Sequence, residues 1–182
     1  ILLVSPEPWN HIFVSKHHYA VYLAGRGNRV FFLNPPGTSC SVSPTEFENV
    51  FSVGYKGFIR GLKYFPGVVR KKLQREVYAK VESLCNCKFD IIWSFDNSVF
   101  FDFDALPDHL LAISHIVDLN QDFQTARAAA SAGICFCTTD LIQERLKQFN
   151  PNVVKINHGV HLPAMMPTPD IHGQGHAKDH RV

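Results

Sequence analysis

A chain of 182 residues can build one sizeable domain but not two large ones. Its 46% hydrophobic and 19% charged content is that of an ordinary globular domain, and a net charge of only +2 argues against nucleic acid as a partner. The longest apolar runs are strand-sized, too short for a membrane-spanning helix, and no secretory signal is visible. The chain opens at Ile1, already inside a strand and without an initiator Met, as if the true N-terminus were missing.

In chain order, residues 1–5 form a short, almost wholly apolar strand of the kind found in the middle of parallel sheets. A loop holding Pro6, Glu7, Pro8 and Trp9 follows, then a helix over residues 15–24 with Tyr19, Tyr22 and Leu23 spaced for one face. Gly25 and Gly27 come after this helix, not between the first strand and the helix, so they act as caps and not as a dinucleotide fingerprint. Residues 29–34 are a second strand, ended by Pro35-Pro36-Gly37. Residues 47–55 alternate weakly and predict a third.

Residues 56–80 differ in kind. Lys56, Arg60, Lys63, Arg70, Lys71, Lys72, Arg75 and Lys80 are eight of the chain's 18 basic residues, against one acid, Glu76. Phe58, Ile59, Leu62, Tyr64 and Phe65 are interleaved with them. Two readings fit: a helix over residues 66–85 whose charged face meets water, or a surface for anionic lipid.

Residues 89–95 are a clear strand with Asp96, Asn97 and Ser98 in the loop at its end. An apolar cluster of Val99, Phe100, Phe101 and Phe103 predicts a short buried turn. A strand over residues 110–116 carries His115 and runs on to Asp118. An alanine-rich helix over residues 122–132, stopped by Gly133, leads to a strand over residues 134–138. Thr139 or Asp140 caps the next helix, and a last strand over residues 153–156 ends in Asn157-His158-Gly159-Val160. Strand, helix, strand, helix, strand with short connections predicts an α/β domain built on an open parallel sheet. Its ligands belong at the carboxyl ends of the strands, where His115, Asp118 and the Asn157 turn fall.

The five cysteines are odd in number and irregular in spacing, which argues against a disulfide framework and for a reducing, cytoplasmic compartment. Cys135 and Cys137 alternate within one strand and share a buried face, so no metal site is expected.

Three stretches resemble the N-terminal domain of GT-B glycosyltransferases grouped with the family 4 retaining enzymes. They are ILLVSPEPWN with SKHHYAVYLAGRGNRVFFLNPP, then AISHIVDLNQDF, then CTTDLIQERLKQFNPNVVKINHGVHL. The last is similar to the family's Asn-Pro-Asn and Ile-x-Asn-Gly-Val-Asp run, with His158 where the family often has Asn and His161 in place of the acid. The loop after the first strand lacks the family's Gly-Gly. The resemblance implies a Rossmann-like domain over residues 1–162 with helices on both faces of its sheet, one half of a GT-B fold. Residues 163–182 read as a linker or tail toward a second domain that would hold the donor.

The function so implied is transfer of a hexose from a nucleotide diphosphate sugar, a substrate and not a tightly bound cofactor, to a glycan or lipid-linked acceptor. His115 and Asp118 are the expected catalytic residues. Glu7, His11, Lys16, His17, Asp96, Asn97, Asn157, His158 and Gly159 are the expected substrate-binding ones. The stretch around Lys56 to Lys80 would place a cytoplasmic protein on the inner face of a membrane. The alternative is a Rossmann-like module that binds a ligand without chemistry.

Overall fold

The computed structural model describes residues 1–57, 59–119 and 124–157. The chain runs β1 (Leu2–Val4), α1 (Ser15–Gly25), β2 (Val30–Leu33), β3 (Ser41–Pro44), β4 (Val50–Gly54), α2 (Gly67–Cys85), β5 (Ile91–Ser94), β6 (Leu111–Ile116), α3 (Thr125–Ser131), β7 (Ile134–Cys137), α4 (Asp140–Lys147) and β8 (Val153–Lys155). The strands form one sheet in the order β3-β4-β2-β1-β5-β6-β7-β8. All neighbours are parallel except β3 and β4.

The alternation of side chains along each strand builds two cores. Leu2, Val4, Phe31, Leu33, Ile92, Ala112, Ile116, Cys135 and Cys137 face α2, α3 and α4, which contribute Val77, Tyr78, Ala128, Ala129, Ile142 and Leu146. Leu3, Val30, Phe32, Trp93 and Ile113 face the opposite way, toward Ala20 and Ala24 of α1. The sheet is therefore a Rossmann-like α/β layer with helices on both faces, three on one side and one on the other among the described residues. The alternation expected for Cys135 and Cys137 is present, and burial pushes the Cys135 thiol up to about 12.

Three local expectations change. The polar edge strand β3 is not anticipated from its sequence, Ser-Val-Ser-Pro. Only β4 supports it, and an exposed antiparallel edge tolerates a terminal proline whose missing N–H is not needed. The third predicted strand shortens to β4, because Asn49 takes a left-handed φ of 61° just before it. Gly133 does not stop α3 with a left-handed cap. It starts the approach to β7, its N–H donates to the Ala112 carbonyl, and a Cβ there would stand 3.2 Å from Leu111 Cδ1. The C-terminal cap of α2, by contrast, is Asn86 in the left-handed region at φ 47°.

Candidate functional site at the switch point

The strand order reverses beside β1. From β1 the chain builds outward through β2 to β4, then returns through α2 to lay β5 on the other side of β1. Connections leaving β1 and β5 diverge to opposite faces of the sheet, and open parallel sheets hold their ligands in the crevice beyond the carboxyl ends of such strands. Both strands end in the same device. Ser5 Oγ donates to the Glu7 carbonyl at 2.7 Å and accepts the Glu7 N–H at 3.1 Å. Ser94 Oγ does the same for Asp96, at 2.9 and 3.3 Å. Each serine turn fixes one acid at the lip of the crevice.

Lys16, near the start of α1, ties the two lips. Its ammonium donates to Glu7 Oε2 and lies 5.9 Å from the centre of the Phe95 ring. Asp96 is half-buried and accepts the Ser98 N–H on its Oδ1 at 2.8 Å. Asn97 is buried, with Ser114 Oγ 3.5 Å from its Oδ1. Glu7, Lys16, Asp96 and Asn97 thus stand at the ends of the two adjacent strands β1 and β5 and at the start of α1. Asp118 and Asn157 are both exposed, beyond β6 and β8. The Asn157 carbonyl accepts from Tyr19 Oη at 3.3 Å, which draws the end of β8 toward α1. His11 is exposed on the loop before α1. His158 and Gly159 lie outside the described residues.

Two histidines depart from their expected places. His17 is fully buried, stacked between Phe13 and Phe32. Its Nδ1 accepts the Val14 N–H at 3.2 Å, so the proton sits on Nε2 and is donated to the Pro8 carbonyl, also at 3.2 Å. The ring braces the loop behind the crevice instead of lining it. His115 is 1% exposed. The β6 register turns it toward α1, where Tyr19, Trp93, Phe95 and Phe136 surround it, Phe95 at 4.5 Å between ring centres. Neighbouring strands and α1 enclose it, and one strand read alone does not reveal them.

Burial, the largest cause, pushes the His17 imidazole below its ordinary 6.5. Below that pH the unfolded chain takes up a proton that the folded ring resists. Stability is therefore complete above about 6.5 and declines as the pH falls toward the folded value. Following the His17 ring protons by NMR is expected to give a midpoint below 6.5, together with a melting temperature that drops on mild acidification. A midpoint at or above 6.5 would contradict this placement.

The structure adds residues that the sequence did not single out. Trp9 donates its backbone N–H to Asn34 Oδ1 at 2.7 Å and its indole N–H to Glu46 at 3.2 Å, pinning the loop after β1 to β2 and β4. The Tyr55 hydroxyl, buried just past β4, has no hydrogen-bond partner among the described residues. Burial and then the charge of Asp96 hold it protonated, so it is a donor within the field of that acid. A cavity of about 260 Å³ also opens at this end of the sheet, between Leu62 and Tyr64 on one wall and Asn97, Ser98 and Gln124 on the other. Of these only Asn97 is a candidate from the sequence, with Ser98 beside it in the same loop; Leu62, Tyr64 and Gln124 come from remote segments. Among the described residues, no three His, Cys, Asp or Glu side chains form a metal-binding group.

No protein-family model matches the chain, and no curated protein is similar to it. Among solved structures, a sucrose-phosphate synthase from Thermosynechococcus elongatus is similar in fold, with a TM-score of 0.55 and 13% sequence identity. The match covers 87% of this chain and 88% of that one. The fold is GT-B-like. At that identity the likeness carries the architecture alone, not a substrate.

Proposed function

We propose that this chain is the acceptor-binding half of a retaining glycosyltransferase akin to the family 4 enzymes, moving a hexose from a nucleotide diphosphate sugar to a glycan or a lipid-linked acceptor. The observation that carries the reading is the polar lip at the switch point of a GT-B-like sheet: two acids fixed by serine turns, a lysine paired with Glu7, and Asn97 beside a cavity. Asp96 and Asp118 would accept from sugar hydroxyls, while Lys16, Asn97 and Asn157 would orient them. The donor diphosphate would be held by a second Rossmann-like domain, so that charge developing in the transition state is stabilised between two walls. No step calls for a metal or a resident cofactor. The setting that fits is cytoplasmic, and no described helix is long and apolar enough to cross a membrane.

The test is a transfer assay with the full-length gene product, nucleotide sugars and a panel of glycan and lipid-linked acceptors. Transfer with retained anomeric configuration is expected. Asp96→Asn should raise the acceptor KM about tenfold, the loss of one charge-assisted hydrogen bond. Titration of the 182-residue chain with UDP- and GDP-sugars should show weak binding at most, whereas sub-micromolar affinity would move the donor site onto this domain. Saturable glycan binding with no transfer by the full-length product would instead make it a binding module.

A further inference from the structure

The basic segment after β4 does not behave as one surface. Three of its cations are already engaged by the chain itself: Arg70 turns inward to the buried Asp102, Lys71 pairs at the surface with Asp104 at 2.5 Å, and Arg75 donates to the Ala105 carbonyl at 2.8 Å. What faces outward is unexpected for the start of a water-facing helix. Tyr64 is 81% exposed and Val68 84%, with Val69 at 41% and Phe65 at 38%. Four large apolar side chains thus stand in solvent within six positions, whereas the other exposed apolar residues are scattered along the described chain. Helix propensity gives no reason for two valines in an exposed first turn, since β-branched residues lose χ1 freedom there. A contiguous apolar patch of this kind marks an interaction surface.

Charge names the partner. Arg60, Lys63 and Lys72 are exposed around the patch. Lys63 Nζ lies 5.1 Å from the centre of the Tyr64 ring, and Lys72 is one helical turn beyond Val68 on the same face of α2. No acid occurs from Lys56 to Arg75. We propose that the surface formed by the turn Leu62–Tyr64 and the first turn of α2 docks on an anionic lipid bilayer, with Tyr64, Val68 and Val69 entering the headgroup layer and Arg60, Lys63 and Lys72 meeting lipid phosphates. A nucleic acid would satisfy the cations and leave the valines in water. A lipid surface satisfies both, through apolar burial and attraction together. The cavity between Tyr64 and Asn97 then opens beside the bilayer. Docking of this kind is independent of the transfer reaction proposed above.

The test is co-sedimentation of the 182-residue chain with vesicles of neutral phosphatidylcholine and with vesicles that also contain phosphatidylglycerol. Binding to the anionic vesicles at low salt, release at high salt and poor binding to neutral vesicles are expected. Tyr64→Ser/Val68→Ser/Val69→Ser and, separately, Arg60→Gln/Lys63→Gln/Lys72→Gln should each weaken the partition at least about tenfold. Neither should shift the melting temperature, because these side chains are exposed. A wild type that stays in the supernatant with anionic vesicles at low salt overturns the proposal. So does an apolar triple variant that binds like wild type, or retention on duplex DNA without vesicle binding.

Discussion

Asp102→Ala is expected to lower the melting temperature by roughly 6–12 °C, a loss of about 3 kcal/mol. Asp102 is 6% exposed and receives two guanidinium N–H groups of Arg70 and the Gln74 amide at 2.7 Å. Gln74 Oε1 in turn accepts the backbone N–H groups of Phe101 and Asp102, at 2.8 and 3.1 Å. The aspartate is thus the node that fastens α2 to the connection between β5 and β6. Removing it leaves a largely buried guanidinium and an amide without their acceptor, and that penalty exceeds any gain from relief of desolvation. The lower end of the range for buried pairs applies, because Arg70 keeps an exposed bond to the Phe65 carbonyl. Thermal unfolding followed by circular dichroism is the measurement, with Asp102→Asn as a milder control. A shift under about 2 °C would show that the node contributes no more than a surface pair. For the same reason Arg70→Gln is a stability variant, and the basic residues of this segment cannot be exchanged as one exposed set.

His115→Ala is expected to cost about 3 kcal/mol through the cavity it opens, since four aromatic rings close around the imidazole. In the full-length product turnover is expected to fall only as far as folded protein is lost, because an imidazole 1% exposed inside four rings does not reach a substrate. His115→Phe tests this. Refilling the cage should recover most of the melting temperature, and turnover with it. A turnover that stays about tenfold down or more once stability is restored would give the imidazole a chemical part after all.

Most of the architecture was legible in the residues. Apolar strands alternating with helices of ordinary length predict a parallel α/β sheet, and the strand-end positions of Glu7, Asp96, His115 and Asp118 follow from the same reading. The edge strand β3 was not, because Ser41-Val42-Ser43-Pro44 has no strand signal of its own and exists only where β4 offers it hydrogen bonds. The serine turns left a trace, Ser-x-Glu at residues 5–7 and Ser-x-Asp at residues 94–96, which becomes readable once both strands are known to border one crevice.

By itself the sequence determined the kind of sheet, the order of its elements and which polar residues stand at strand ends, because these depend on periodicity and on local turn and cap chemistry. Tertiary structure alone decided which of those residues meet a ligand. Burial is set by neighbours remote in the chain: Phe95 and Tyr19 close over His115, Pro8 and Phe32 engage His17, and Asp102 draws Arg70 inward from a run of cations that looks uniform in one dimension. The same packing leaves Tyr64, Val68 and Val69 uncovered, and only the folded chain shows that they stand together in water.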